Sequence, residues 1–120
     1  MKIELPAFNI AGVQFRPANV IDPLVDGQTI RFVCEPENPC DKFAIKVEAF
    51  QPTSVIDSDD TMIAKWNHIC YVPKKSTWLF HLLRQAKIPI FLSLMVNHEA
   101  TDKDKLLVTS WFEGDKDASF

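Results

Sequence analysis

Apolar and polar positions alternate along most of this chain with the period of a β-strand, and one stretch shifts to the period of a helix. Phe8–Phe15 is apolar and β-branched, which predicts a strand, and Gly12 inside it marks a bulge or a close backbone approach. Arg16–Gln28 carries Pro17, Pro23, Asn19 and Asp22, so it reads as a long loop ending in the Asp26-Gly27 turn signal. In Thr29–Glu35, Ile30, Phe32 and Cys34 fall on one face and Thr29, Arg31 and Val33 on the other, the pattern of a half-buried strand. Pro36–Asp41 reads as a turn. Phe43–Phe50 alternates again, with Phe43, Ile45, Val47 and Ala49 facing one way and Lys46 and Glu48 the other.

The next stretch, Gln51–Thr61, is polar and acidic and reads as a loop. Met62–Val72 is an apolar strand that Pro73 closes, and it is taken into the core. Ser76 or Thr77 can then cap a helix by accepting a free backbone N–H. Trp78, Leu79, Leu82, Leu83 and Ala86 fall at helical spacing, which predicts a buried stripe, and the helix should end near Lys87. Ile90–Asn97 and Leu106–Phe112 are the last strands, and the tail from Glu113 is polar. About six short strands with one helix among them predict a small antiparallel barrel, although periodicity leaves an open α+β sheet equally possible. At 120 residues, without repeats or a linker, the chain reads as one domain with a core over 6–112 and a tail over 113–120.

Composition narrows the classes. Apolar residues make up 47% and charged residues 24%, the balance of a globular domain rather than a disordered one. A net charge of −3 argues against indiscriminate nucleic-acid binding. Cations nevertheless gather at Lys42 and Lys46, at Lys74 and Lys75, and at Arg84 and Lys87, so a local positive patch is compatible with the total. No signal-peptide pattern opens the chain, and three cysteines are an odd number, so the expected setting is a reducing cytoplasm, or a nucleus if the cell is eukaryotic, rather than secretion. Ile88–Val96 is too short to cross a membrane, and no membrane association is expected.

Enzyme signatures are absent: there is no phosphate-binding glycine loop, no H-E-x-x-H and no G-x-S-x-G. Cys40 as a nucleophile would need His68, His81 or His98 beside it. Cys34, Cys40, His68 and Cys70 have the chemistry of a zinc set but not a zinc spacing. No catalysis, cofactor or metal is expected.

The stretch Glu35-Pro36-Glu37-Asn38-Pro39-Cys40-Asp41-Lys42-Phe43-Ala44-Ile45-Lys46-Val47 resembles the signature of HIRAN domains, a turn x-P-x-N-P-x-D-x-x-A-I-x-V running into a strand. Two flanking blocks agree in order. Ile10-Ala11-Gly12-Val13-Gln14-Phe15 is similar to the family's first strand, and Ile69-Cys70-Tyr71-Val72-Pro73-Lys74 to its strand end before a helix. The resemblance implies a mainly β fold, a modified OB-like barrel of about six strands with one or two short α-helices. It also implies a module that holds single-stranded DNA, at its 3′ end in some members, in repair or replication.

Carried over position by position, Asp41 would accept a hydrogen bond from a terminal 3′-hydroxyl, and Phe15 would stack on the base. Asn38 would touch the nucleotide, while Tyr71, Lys74 and Lys75 would meet phosphates. Lys42 and Arg16 add positive charge nearby. Two positions depart from the pattern of DNA-capturing members. Cys40 stands where a second stacking ring is usual, leaving that task to Trp66, Trp78 or Phe43, and Gln14 stands where an arginine is usual. The alternative for Asn38 and Asp41 is that they cap their own turn; for Phe15, that it belongs to the core; for the lysines, that they are solvated. The alternative for the whole chain is a protein-interaction module whose partner is a helicase, a nuclease or a host factor, with DNA contact weakened.

Overall fold

The computed structural model describes residues 1–9, 16–56, 62–100 and 105–114, with the backbone alone for 52–56 and 62–63. Along the chain run β1 (Lys2–Glu4), β2 (Phe8–Asn9), α1 (Ala18–Ile21), β3 (Ile30–Cys34), β4 (Ile45–Ile56), β5 (Met62–Tyr71), a 3-10 turn (Lys74–Ser76), α2 (Thr77–Gln85), β6 (Phe91–Val96) and β7 (Leu106–Glu113). The domain is mainly β, as the alternating pattern predicts. Among the described residues the strands form two antiparallel sheets, β3-β4-β5 and one in which β7 pairs with β1, β2 and β6. The Asp26-Gly27 turn links them: Gly27 N donates to Leu94 O at 2.9 Å, and Val96 N donates to Asp26 Oδ1 at 2.6 Å. Gly27 has φ of 79°, which a side chain would resist.

Alternation puts one face of each strand inward. Ile45, Val47 and Ala49 of β4 are buried, with Ile30, Phe32 and Cys34 packed against the same core. Phe8, Phe32 and Phe80 meet at 4.9–6.2 Å between ring centres, which joins both sheets to α2. Each such buried side chain contributes about 1.5–3 kcal/mol.

Several elements differ from the sequence expectation. β1 lies in a stretch placed outside the core, yet it pairs with β7 from Lys2↔Glu113 to Glu4↔Trp111. The expected loop over 16–28 contains the one-turn helix α1 after Pro17. β4 continues through the expected loop as far as Ile56, because the polar Gln51 can stay buried: its Nε2 donates to Val20 O and its Oε1 accepts from Asn67 Nδ2, both at 2.9 Å. Phe43 sits in the turn before β4 instead of on its inner face, and is 55% exposed.

The helix is turned relative to the expected stripe. Thr77, Phe80 and Leu83 are buried, whereas Trp78 and Leu82 are 64% and 55% exposed. The ring of Phe80 fills the space between Phe8 and Phe32, and this decides which side faces in. The cap differs as well: Thr77 Oγ1 donates to Lys74 O at 3.0 Å, closing the 3-10 turn, and Ser76 makes no side-chain cap. At the other end the helix does stop before Lys87. Ile88 N donates to Leu83 O and Lys87 N to Arg84 O, both at 3.0 Å, with Lys87 in the left-handed region at φ 58°.

Candidate nucleic-acid interface

The turn between β3 and β4 is built from its own side chains. Asn38 Oδ1 accepts from Cys40 N at 2.9 Å and Asp41 N at 3.1 Å, and Asn38 Nδ2 donates to Glu35 Oε1 at 3.3 Å. Asp41 Oδ1 accepts from Phe43 N at 2.9 Å. The self-capping alternative therefore holds for both residues. It does not use up Asp41, whose other carboxylate oxygen has no partner among the described residues.

Beyond the turn, Pro73 ends β5 and the 3-10 turn swings the chain into α2. This brings Lys74 and the exposed side of α2 opposite the turn. Asp41, Phe43, Lys74, Thr77, Trp78, His81, Leu82 and Gln85 line a cleft of about 480 Å³. Trp78 and Leu82 come from adjacent turns of one helix face. His81 fixes helix to turn: its Nε2 donates to Phe43 O at 2.9 Å, and its ring meets the edge of Phe43 at 5.8 Å. The cleft thus combines a carboxylate, an ammonium and two exposed aromatic rings.

On the β5 side of the turn stands a second group. Tyr71 pairs across the sheet with Lys46, and its hydroxyl lies beside the Glu35 carboxylate. That contact, more than any other, holds Glu35 below the ordinary carboxylate value, and it raises the Tyr71 phenol. His68 stacks edge-on against Tyr71 at 4.7 Å, and its Nε2 donates to Cys70 O at 2.9 Å. Burial and then the nearby Arg16 charge keep His68 below its usual value, so its neutral form is favoured. Burial likewise pushes the Cys70 thiol far up, so it carries no thiolate. Among the described residues no group of three or more His, Cys, Asp or Glu side chains is placed to hold a metal ion.

Of the residues singled out from the sequence, Asp41 and Lys74 come together in the cleft. Asn38 and Cys40 lie in the turn behind it. Arg16 and Tyr71 belong to the neighbouring group, where the positive charge of Arg16 acts on the phenol. Lys42 lies apart from Lys74, in a second cavity beyond Phe43, with its Nζ 5.1 Å from the Phe43 ring centre. Lys75 is exposed on the 3-10 turn and lines neither cavity. Gln14 and Phe15 lie outside the described residues.

Of the three rings that could replace the one missing at Cys40, Phe43 and Trp78 stand in the cleft. Trp66 does not: it packs against Phe50 at 5.2 Å and under Arg31 at 4.1 Å. Glu35 was not expected as a site residue, Lys46 was expected only as part of a positive patch, and His81 only as a partner for Cys40. The family model for the HIRAN domain matches residues 4–113. No curated protein and no solved structure matches the chain.

Proposed function

The chain belongs to the HIRAN domain family, a family of nucleic-acid-binding modules, and on that premise we propose that it holds the 3′-hydroxyl end of single-stranded DNA in the Asp41–Lys74 cleft. The observation that carries this reading is the convergence of Asp41, Lys74, Phe43 and Trp78 on one cleft. A terminal 3′-hydroxyl is a donor and the Asp41 carboxylate an acceptor, whereas a 3′-phosphate brings negative charge against negative charge. The terminal base lies against Trp78 and Phe43, a contact that tolerates any base and contributes about 1–3 kcal/mol. Lys74 neutralises a backbone phosphate. The module binds without catalysing, in the handling of strand ends during repair or replication.

Fluorescence anisotropy with short oligothymidylates ending in 3′-hydroxyl or 3′-phosphate tests this. The hydroxyl form should bind about tenfold more tightly, and Asp41→Ala should abolish the difference. Equal binding of both ends by the unaltered protein removes Asp41 from the role. Absence of binding at low salt favours the protein-contact alternative, to which the exposed Leu82 beside Trp78 would contribute.

A further inference from the structure

On the far side of Phe43 lies the larger cavity, about 950 Å³, between β3, the β3–β4 turn and α2. β3 is an edge strand, paired with β4 alone among the described strands. Phe50 N donates to Thr29 O and Glu35 N to Ala44 O, so the odd-numbered residues of β3 turn their peptide groups toward β4. Its even-numbered residues turn theirs the other way. Two of them, Phe32 and Cys34, line the cavity. Among the described residues no strand pairs with this row of N–H and C=O groups, which borders an apolar cleft floored by Phe32, Ile45 and Phe80, with Ile88 and Ile90 also lining it. Edges of this kind are usually blunted by a proline, a bulge or an inward charge. β3 has no proline, its pairing with β4 is regular throughout, and its inward residues are Ile30, Phe32 and Cys34.

Charge indicates what fits. Arg31, Lys42 and Arg84 border the cavity, and no Asp or Glu lines it. Arg31 is already paired with Glu48 at 2.8 Å, while Lys42 and Arg84 make no salt bridge among the described residues. We infer that this second cleft takes an extended acidic segment of a partner protein, which adds as a strand to the free edge of β3. Backbone hydrogen bonds to Phe32 and Cys34 set its register, its alternate apolar side chains fill the cleft, and its carboxylates meet Lys42 and Arg84. A nucleic-acid strand is the poorer occupant because it has no amide ladder to match the open edge. The inference does not rest on the 3′-end reading, since Asp41, Lys74 and Trp78 line the other cleft.

The test is a fluorescein-labelled hexapeptide of alternating valine and glutamate, added to the full chain. Three comparisons define the outcome: the same peptide with lysine for glutamate, the peptide N-methylated at alternate amides, and the protein variant Arg84→Glu. Strand addition predicts that each change weakens binding about tenfold or more. It also predicts that a saturating 3′-hydroxyl oligonucleotide leaves peptide binding as it was. Equal binding of the lysine peptide, indifference to N-methylation, or no binding at about millimolar peptide overturns the inference. So does displacement by the oligonucleotide, which would assign the second cleft to the nucleic acid.

Discussion

On one side of the Phe43–His81 wall, the cleft offers a carboxylate, an ammonium and a tryptophan that is 64% exposed. On the other side, the cavity offers a strand edge unpaired among the described residues, an apolar floor and cations without a lining acid. Both are walled by Phe43 and His81, yet they suit different ligands. The first presents side-chain chemistry for a sugar end, a base and a phosphate. The second presents main-chain chemistry for another polypeptide. On the two proposals, ligand choice follows from which atoms a shared wall leaves free rather than from the total charge, which is the same for both.

Removing the buried acid of β4 should have the largest effect. Glu48 is buried between Arg31 at 2.8 Å and Lys46 at 3.3 Å. Burial alone would raise its pKa, but hydrogen bonds from Arg31 and Lys46 hold it below the ordinary value. Glu48→Ala leaves two cations without their partner and should cost about 3 kcal/mol in urea unfolding. Because Arg31 borders the second cleft, peptide binding there should fall with it.

Trp78→Ala separates the two sides. It should weaken oligonucleotide binding by about 1–3 kcal/mol while leaving the unfolding midpoint nearly unchanged, because the ring is exposed. A large loss of stability would show instead that the indole packs in the core. Lys74→Ala should weaken all single strands alike and reduce the salt slope of binding by about one, whereas Arg84→Ala should leave that slope as it was. Equal slope changes for both variants would merge the two clefts into one nucleic-acid track.

Acid should act through the Tyr71 side of the turn. His68 has a folded pKa below its ordinary 6.5, so the unfolded chain binds its proton first. Stability should therefore fall as pH drops below about 6.5, then level off once the folded value is passed. Glu35 and Glu48 are also depressed, from an ordinary 4.5, and their contribution is full above that value and lost as pH falls through their folded values. Urea midpoints from pH 8 down to pH 3 should show both declines, and His68→Gln should remove the upper one. The smallest effect expected is a gain. Lys87→Gly relieves the left-handed position at φ 58° and should stabilise by about 0.5–1 kcal/mol, with no change on either side of the wall.

Strand content was legible in the sequence because burial on one face imposes alternation, as at Ile45, Val47 and Ala49. The turn chemistry at Asn38 and Asp41 was legible for a similar reason, since those side chains act on backbone groups a few residues away. Positions decided by distant partners were not. Gln51 is a loop residue by polarity and a strand residue because Val20 and Asn67 satisfy it. Trp78 and Leu82 have the spacing of a core stripe, but Phe80 takes the inward position through contacts with Phe8 and Phe32, far away in sequence. The meeting of Asp41 and Lys74 in one cleft depends on how α2 docks, so the local pattern could name its members without assembling the cleft.

The three tryptophans stand in three separate surroundings. Trp78 borders the Asp41 cleft, Trp66 lies under the Arg31 guanidinium, and Trp111 is stacked on Phe91 with Lys2 above it. Each indole can therefore serve as a native emission probe for its own neighbourhood. With Trp66 and Trp111 replaced by phenylalanine, the remaining emission would come from the one ring that an arriving base can quench.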